Sequence, residues 1–161
     1  LGDVYKRQQL FVRVVVQKVK NASVKVNNQL VGEINNGLMV LAGYESSDSK
    51  EDISWMVQKI IKMRIFDDTE NRLNFSLLDV NGEILLISQF TLHSSLKKGN
   101  RPSYIKAADS QKAKLMYDLT ISEFETVLKR KISTGKFGAN MDVSLVNNGP
   151  VTITIDSKKK E

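Results

Sequence analysis

The 161-residue sequence has no cysteine, one histidine, one tryptophan and two prolines, and each scarcity removes some chemistry. Without cysteine there is no disulfide, no thiolate metal ligand and no cysteine nucleophile, which fits a reducing, cytoplasmic setting. A single histidine, His93, with no acidic run at calcium-loop spacing, leaves no ligand set for zinc or calcium, so neither a metal nor another cofactor is expected. Neither G-x-x-x-x-G-K nor G-x-G-x-x-G occurs, so no glycine-rich phosphate loop is expected. No apolar run approaches the roughly 20 residues of a membrane helix, and the start lacks the order of a signal peptide.

Basic charge is what the chain has in modest excess. Lysine plus arginine number 24 against 18 acidic residues, a net +6, enough to favour a polyanionic partner without the footprint of a dedicated duplex binder. The excess gathers in Lys97-Lys98-Gly99-Asn100-Arg101, Lys129-Arg130-Lys131 and Lys158-Lys159-Lys160. Residues 1–11 show no helical or strand period and read as a cloning remnant, with Val12 at the natural start. Residues 12–157 then form one domain, and residues 158–161 a disordered basic tail.

From Val12 to Tyr44 the pattern is β throughout. Arg13–Val19, Val24–Val26, Leu30-Val31 and Leu38–Leu41 are separated by Asn27-Asn28 and Asn35-Asn36-Gly37, which predicts an antiparallel meander. Ser49 and Asp52 form a capping box ahead of Ile53, Met56, Val57, Ile60 and Ile61, one apolar helix face with Trp55 off the stripe and partly buried. Asp67–Leu73 reads as a polar loop in which Asp67-Asp68 does turn chemistry, and Ile84–Ile87 as a strand buried on both faces. A second helix is expected over Ser110–Lys129, with Ala113, Met116, Tyr117, Thr120, Phe124 and Val127 inward and the basic turn 129–131 facing its dipole. Gly135 and Gly138 then break the chain before two strands, Val143–Val146 and Val151–Ile155, joined by a turn at Asn147-Asn148-Gly149-Pro150.

Two segments concentrate the candidate chemistry. Ser88-Gln89-Phe90-Thr91 stands at the end of the buried strand, where packing gives way to polar groups at a sheet rim. A serine triad does not fit, because His93 has no forced geometry toward Ser88 and reads as an exposed loop residue. Backbone N–H groups, hydroxyls and bound water remain. At Gly149-Pro150 a ladder donor is lost and main-chain carbonyls are free to point elsewhere.

Ser88-Gln89-Phe90-Thr91-Leu92 and Asn148-Gly149-Pro150-Val151-Thr152 together resemble the D-aminoacyl-tRNA deacylase (D-tyrosyl-tRNA deacylase) family. The likeness runs over essentially all of Val12 to Ile155 and takes in Val16–Val19, Arg64–Phe66, Lys98–Ser103 and Phe137–Met141 in family order. It implies an α+β single domain, antiparallel β-barrel-like sheets flanked by two main helices, acting as a homodimer on aminoacyl-tRNA with active sites at the subunit interface. It implies hydrolysis of the D-aminoacyl ester, with Ser88, Gln89, Phe90 and Thr91 catalytic and an oxyanion held by backbone donors at Ser88, Gln89 and Phe90. Gly149-Pro150, joined by a cis bond, would reject L-amino acids in the partner's pocket, Ala139 and Met141 would line that pocket, and Lys97, Lys98 and Arg101 would contact tRNA. Glycyl-tRNA would be a second substrate. Attack by water held by Thr91, by Thr91 itself, or with help from the tRNA 2′-hydroxyl all stay open, and a noncatalytic tRNA-binding module is the alternative function. A structural dimer without RNA is a third. Lys18 stands where relatives carry arginine and cannot reproduce a bidentate guanidinium clamp on the Gly149-Pro150 loop.

Overall fold

A computed structural model describes residues 12–157 and residue 159, so the expectations for residues 1–11 and for most of the basic tail lie outside the described residues. The spine is β1 (Val12–Val26), a single 15-residue strand rather than two short ones. Along one of its edges lie β3 (Gly37–Tyr44), opposite residues 12–19, and β2 (Gln29–Ile34), opposite residues 22–26, both antiparallel. The expected meander is therefore corrected: β2 and β3 share β1 as partner and run end to end along it. A strand long enough to seat both made that possible.

From β3 the sheet continues through β6 (Glu83–Ser88) to β7 (Ser133-Thr134), and both of these pairings are parallel. The sheet is mixed rather than wholly antiparallel, because the helix and hairpin between β3 and β6 carry the chain back to its starting side. At its far end β7 returns to β2, where the Ser133 hydroxyl donates to the Glu33 carbonyl at 3.0 Å, so the sheet nearly closes into a barrel. The hairpin β4 (Phe66-Asp67) and β5 (Leu73–Phe75) flanks the expected polar loop, where Asp68 Oδ1 accepts from the N–H groups of Glu70 and Arg72. Those bonds, Arg72's first, hold the Asp68 carboxyl below the usual carboxylate range.

Helix α1 (Lys50–Lys62) starts as its sequence predicts: the Ser49 side chain accepts from the Asp52 N–H and Asp52 accepts from the Ser49 N–H. Such a cap contributes about 1 kcal/mol. Ile53, Met56, Val57, Ile60 and Ile61 are buried, each adding about 1.5–3 kcal/mol, and Trp55 is half-buried. After the short α2 (Leu77–Val80) and β6, helix α3 (Ser110–Leu128) buries Met116, Tyr117, Thr120 and Phe124. It ends one residue before the basic turn, with Lys129 as a left-handed cap at φ 57° and Lys131 reaching back to Glu125 at 3.6 Å.

Ile84 and Leu86 face the core that the helices cover, whereas Leu85 and Ile87 face a second core inside the barrel, as the unbroken apolar run implies. On β1 the two cores swap parity. Val12, Val14 and Val16 face the helices, and Val19, Ala22 and Val24 face the barrel interior. The change falls at Lys18-Val19, both buried, where β8 (Asp142–Asp156) loses register with β1. The two expected strands on either side of Gly149-Pro150 are thus one strand with a bulge. Asn147 pairs with Val19 and Thr152 with Gln17, so Asn148, Gly149, Pro150 and Val151 all stand opposite Lys18.

Candidate active site

Where β6 ends, its last residues open onto a pocket of about 580 Å³. Ser88, Gln89 and Phe90 form one wall and the loop after β7, through Ala139 and Met141, forms another. Small residues of β3 and α3, Ala42, Gly43 and Ala113, leave the space between them; Ala113 was expected on the inward helix face, whereas Ala42 and Gly43 were not singled out from the sequence because smallness alone carries no signal. The pocket therefore brings together Ser88, Gln89, Phe90, Ala139 and Met141.

The main chain at the wall is not equally available. The Gln89 N–H donates to the Ala42 carbonyl at 2.8 Å, continuing the β3–β6 ladder past Ser88. Residues Phe90–His93 then form a single 3-10 turn, whose first N–H groups, those of Phe90 and Thr91, have no partner within the turn. The Gln89 side-chain amide donates to the Thr91 hydroxyl, and Thr91 itself does not line the pocket. No adjacent base is bonded to that hydroxyl among these contacts, which argues against an activated nucleophile.

His93 corrects an expectation: it is 4% exposed, not a surface residue. Its ring bonds to the Gly43 backbone, and its Nδ1 lies 3.9 Å from Glu45 Oε1. Burial pushes its pKa below 6.5, so the imidazole is neutral at pH 7. The sequence misled because a polar residue between Leu92 and Ser94 has the pattern of a loop, while the turn aims it inward. Arg13 fastens the same turn from β1, with Nη1 donating to the Leu92 carbonyl at 2.7 Å and Nε paired to Asp156 at 3.2 Å.

Behind the pocket, the Tyr44 hydroxyl is 2.7 Å from the Thr120 hydroxyl and the Tyr117 hydroxyl donates to the Leu86 carbonyl at 2.7 Å. Desolvation raises both phenols, Tyr117 to about 12, so both remain neutral struts between α3 and the sheet.

Gly149 and Pro150 are exposed, joined by a cis bond as expected, and lie outside this chain's own pocket. Gly149 has φ +149°, and a Cβ there would stand 2.7 Å from its neighbour Val151 Cγ2, so only glycine fits the bulge. Asn147 closes the loop with its side chain, which also donates to the Thr152 hydroxyl at 3.1 Å. Opposite, the Lys18 Nζ is turned toward Asp67 Oδ1 at 3.8 Å and the Phe66 ring, 5.9 Å from its centroid. Lys97, Lys98 and Arg101 are exposed on a loop closed by paired Ser95 and Ser103 hydrogen bonds, also away from the pocket lining. Among the described residues there is no cluster of metal-ligating side chains, and no helix is long and apolar enough to cross a membrane.

The whole fold is shared with solved proteins. The c-Myc DNA unwinding element binding protein superposes with a TM-score of 0.85 at 36% identity, covering 89% of this chain and 97% of that one. A probable eukaryotic D-amino acid tRNA deacylase superposes with a TM-score of 0.82 at 18% identity, covering 91% and 100%, a likeness of fold alone. The class is that of single-domain α+β proteins with a nearly closed mixed sheet and two main helices. Within it the sequence is specific: residues 15–156 match the family described as D-Tyr-tRNA(Tyr) deacylase. The D-aminoacyl-tRNA deacylase of Flavobacterium psychrophilum is 52% identical over 150 residues, 93% of this chain and 100% of that protein. That of Thermosipho africanus is 52% identical over 151 residues, 92% and 99% of the two chains. The chain belongs to the D-Tyr-tRNA(Tyr) deacylase family.

Proposed function

We propose that this protein hydrolyses the ester between a D-amino acid and the terminal ribose of tRNA, removing D-residues before translation uses them. One observation carries the reading: a pocket walled by Ser88–Phe90 coexists with an exposed Gly149-Pro150 loop that is absent from that pocket's lining. In a homodimer, each loop enters the partner subunit's pocket and completes it. Its carbonyls crowd the substrate α-carbon and exclude an L side chain whatever its identity, since main chain is the same for every amino acid. Glycine has no side chain to exclude, so glycyl-tRNA is a second substrate.

Water adds to the ester carbonyl, the tetrahedral oxyanion collapses, and the ribose oxygen leaves with a proton, giving free tRNA and the D-amino acid. Because the Gln89 N–H already serves the sheet, the N–H groups of Ser88 and Phe90 hold the oxyanion. Loss of one such donor typically costs about 100- to 1,000-fold in rate. The Gln89 side chain bonds to the Thr91 hydroxyl, which lies outside the pocket lining, so the attacking water is positioned by the tRNA 2′-hydroxyl. Lys97, Lys98 and Arg101 contact acceptor-stem phosphates, and the work is done in the cytoplasm, where charged tRNA is.

The test is to follow ester loss from D- and L-tyrosyl-tRNA with the dimer verified by sedimentation. Rapid loss of the D-ester alone is expected. Equal rates refute the chiral filter, and binding without turnover of either ester favours a noncatalytic tRNA-binding module.

A further inference from the structure

The 3-10 turn that carries the Phe90 N–H is held only loosely by its own bonds. The Leu92 N–H donates to the Gln89 carbonyl at 3.3 Å and the Ser94 N–H to the Thr91 carbonyl at 3.2 Å, both longer than the usual distance of about 2.9–3.0 Å, as the tight winding imposes. Its place is set from outside. Arg13, Gly43 and Asp156 stand in register on β1, β3 and β8, so the three positions share one face of the sheet. Gly43 is the seat: a Cβ there would stand 2.7 Å from the Gln89 carbonyl oxygen and 3.1 Å from Leu92 Cβ, so the turn rests on bare backbone. Arg13 is the clamp. Its bond to the Leu92 carbonyl, at 2.7 Å, is shorter than both of the turn's own, and a charged donor makes such a bond roughly twice as strong as a neutral one. Asp156 accepts from Nε at 3.2 Å, and a planar guanidinium fixed at two corners has one direction left to point.

We propose that Arg13 is a positioning residue for the deacylation: through the Leu92 carbonyl it holds the turn where the Phe90 N–H meets the oxyanion, and Asp156 holds Arg13. The inference rests on the reading that the Ser88 and Phe90 N–H groups receive that charge. Arg13 is absent from the pocket lining, so its effect passes through the main chain of the turn. The plainer role for a basic side chain, contact with a tRNA phosphate, is opposed by the engagement of Nε and Nη1 inside the protein. Misplacing a reacting group by about 1 Å costs about 100-fold in rate. An oxyanion donor acts on the transition state and hardly on the bound ester, so loosening the turn lowers kcat and leaves KM.

The experiment measures kcat and KM on D-tyrosyl-tRNA for the parent protein, Arg13→Met, Asp156→Ala and the two combined, with amide hydrogen exchange followed on the same preparations. Arg13→Met should lose about 10- to 100-fold in kcat with KM changed by less than about threefold. Exchange should quicken over residues 90–93 while the amides of β3 and β6 keep their protection. Asp156→Ala should lose less than Arg13→Met, and the double variant no more than Arg13→Met, because Asp156 acts through Arg13. If Arg13→Met does not fold, Asp156→Ala decides by the same split between kcat and KM and the same local exchange. An unchanged kcat, a raised KM at constant kcat, a double variant losing the product of the two single effects, or faster exchange throughout the sheet would each overturn the proposal. If the parent protein leaves the D-tyrosyl ester intact, the deacylase reading fails and the role of Arg13 with it; if the parent is active and Arg13→Met matches it, the role of Arg13 fails alone.

Discussion

Asn147 and Val151 are joined by two hydrogen bonds through one side-chain amide: the Val151 N–H donates to Oδ1 at 2.7 Å, and Nδ2 donates to the Val151 carbonyl at 3.1 Å. The amide does for the bulge what a neighbouring strand does elsewhere, satisfying both polar groups of a residue that has left the ladder. Asn147→Ala should therefore cost about 1–2 kcal/mol of stability and release the loop. Deacylation of D-tyrosyl-tRNA should fall further than the stability loss explains, and Asn147→Asp, which keeps the acceptor and loses the donor, should lie between. Thermal unfolding and kcat/KM, measured on the same preparations, check both.

Thr91→Ala should leave deacylation measurable well above the uncatalysed rate, since the hydroxyl accepts from Gln89 and has no base bonded to it. Complete loss with an unchanged circular dichroism spectrum would make Thr91 the nucleophile.

His93 makes stability depend on pH between neutrality and pH 5.5. Its folded pKa lies below the unfolded value of 6.5 because the ring is buried, so the unfolded chain binds the extra proton first. Stability is full above about pH 6.5 and falls below it, at up to about 1.4 kcal/mol per pH unit. Glu45 and Asp156 oppose the effect and Arg13 and Lys106 reinforce it. Because this is the sole histidine, urea unfolding at pH 7.5 and 5.5 isolates it, and His93→Gln should flatten the difference.

Replacing Lys97, Lys98 and Arg101 together by alanine should weaken tRNA binding and reduce the slope of log K against log salt by about 2–3, as each lost phosphate contact releases fewer counterions. An unchanged slope returns this loop to a solvated surface.

The sequence displays most plainly what a local rule decides. Ser49 and Asp52 announce α1 because a capping box needs only its own residues, and Ile84–Ile87 announces a strand covered on both sides because every one of its side chains is apolar. Parallel pairing of β6 with β3 leaves no such mark, since the same apolar run suits either direction. The bulge was read as a turn for a related reason: the device that keeps Val151 in the strand is the side chain of Asn147, a residue type equally at home in turns. His93 was misjudged by polarity alone, for it is buried under the 3-10 turn. The wall residues Ser88–Phe90 lay within a motif legible at Ser88–Thr91, whereas the loss of the Gln89 N–H to Ala42 required the ladder itself.

The pairing of β1 with β8, from Arg13 against Asp156 to Lys25 against Asp142, also orders events in time. Of the described strands β1 is made first and β8 last, so during synthesis one side of β1 waits until β8 has been made. The loop bearing Gly149 and Pro150 has no frame to stand on before then. A nascent chain can fold α1 and pair β3 with β6 early, and it gains the Gly149-Pro150 loop only once β8 is made, so a ribosome-bound fragment lacking β8 would carry the Ser88–Phe90 wall without that loop.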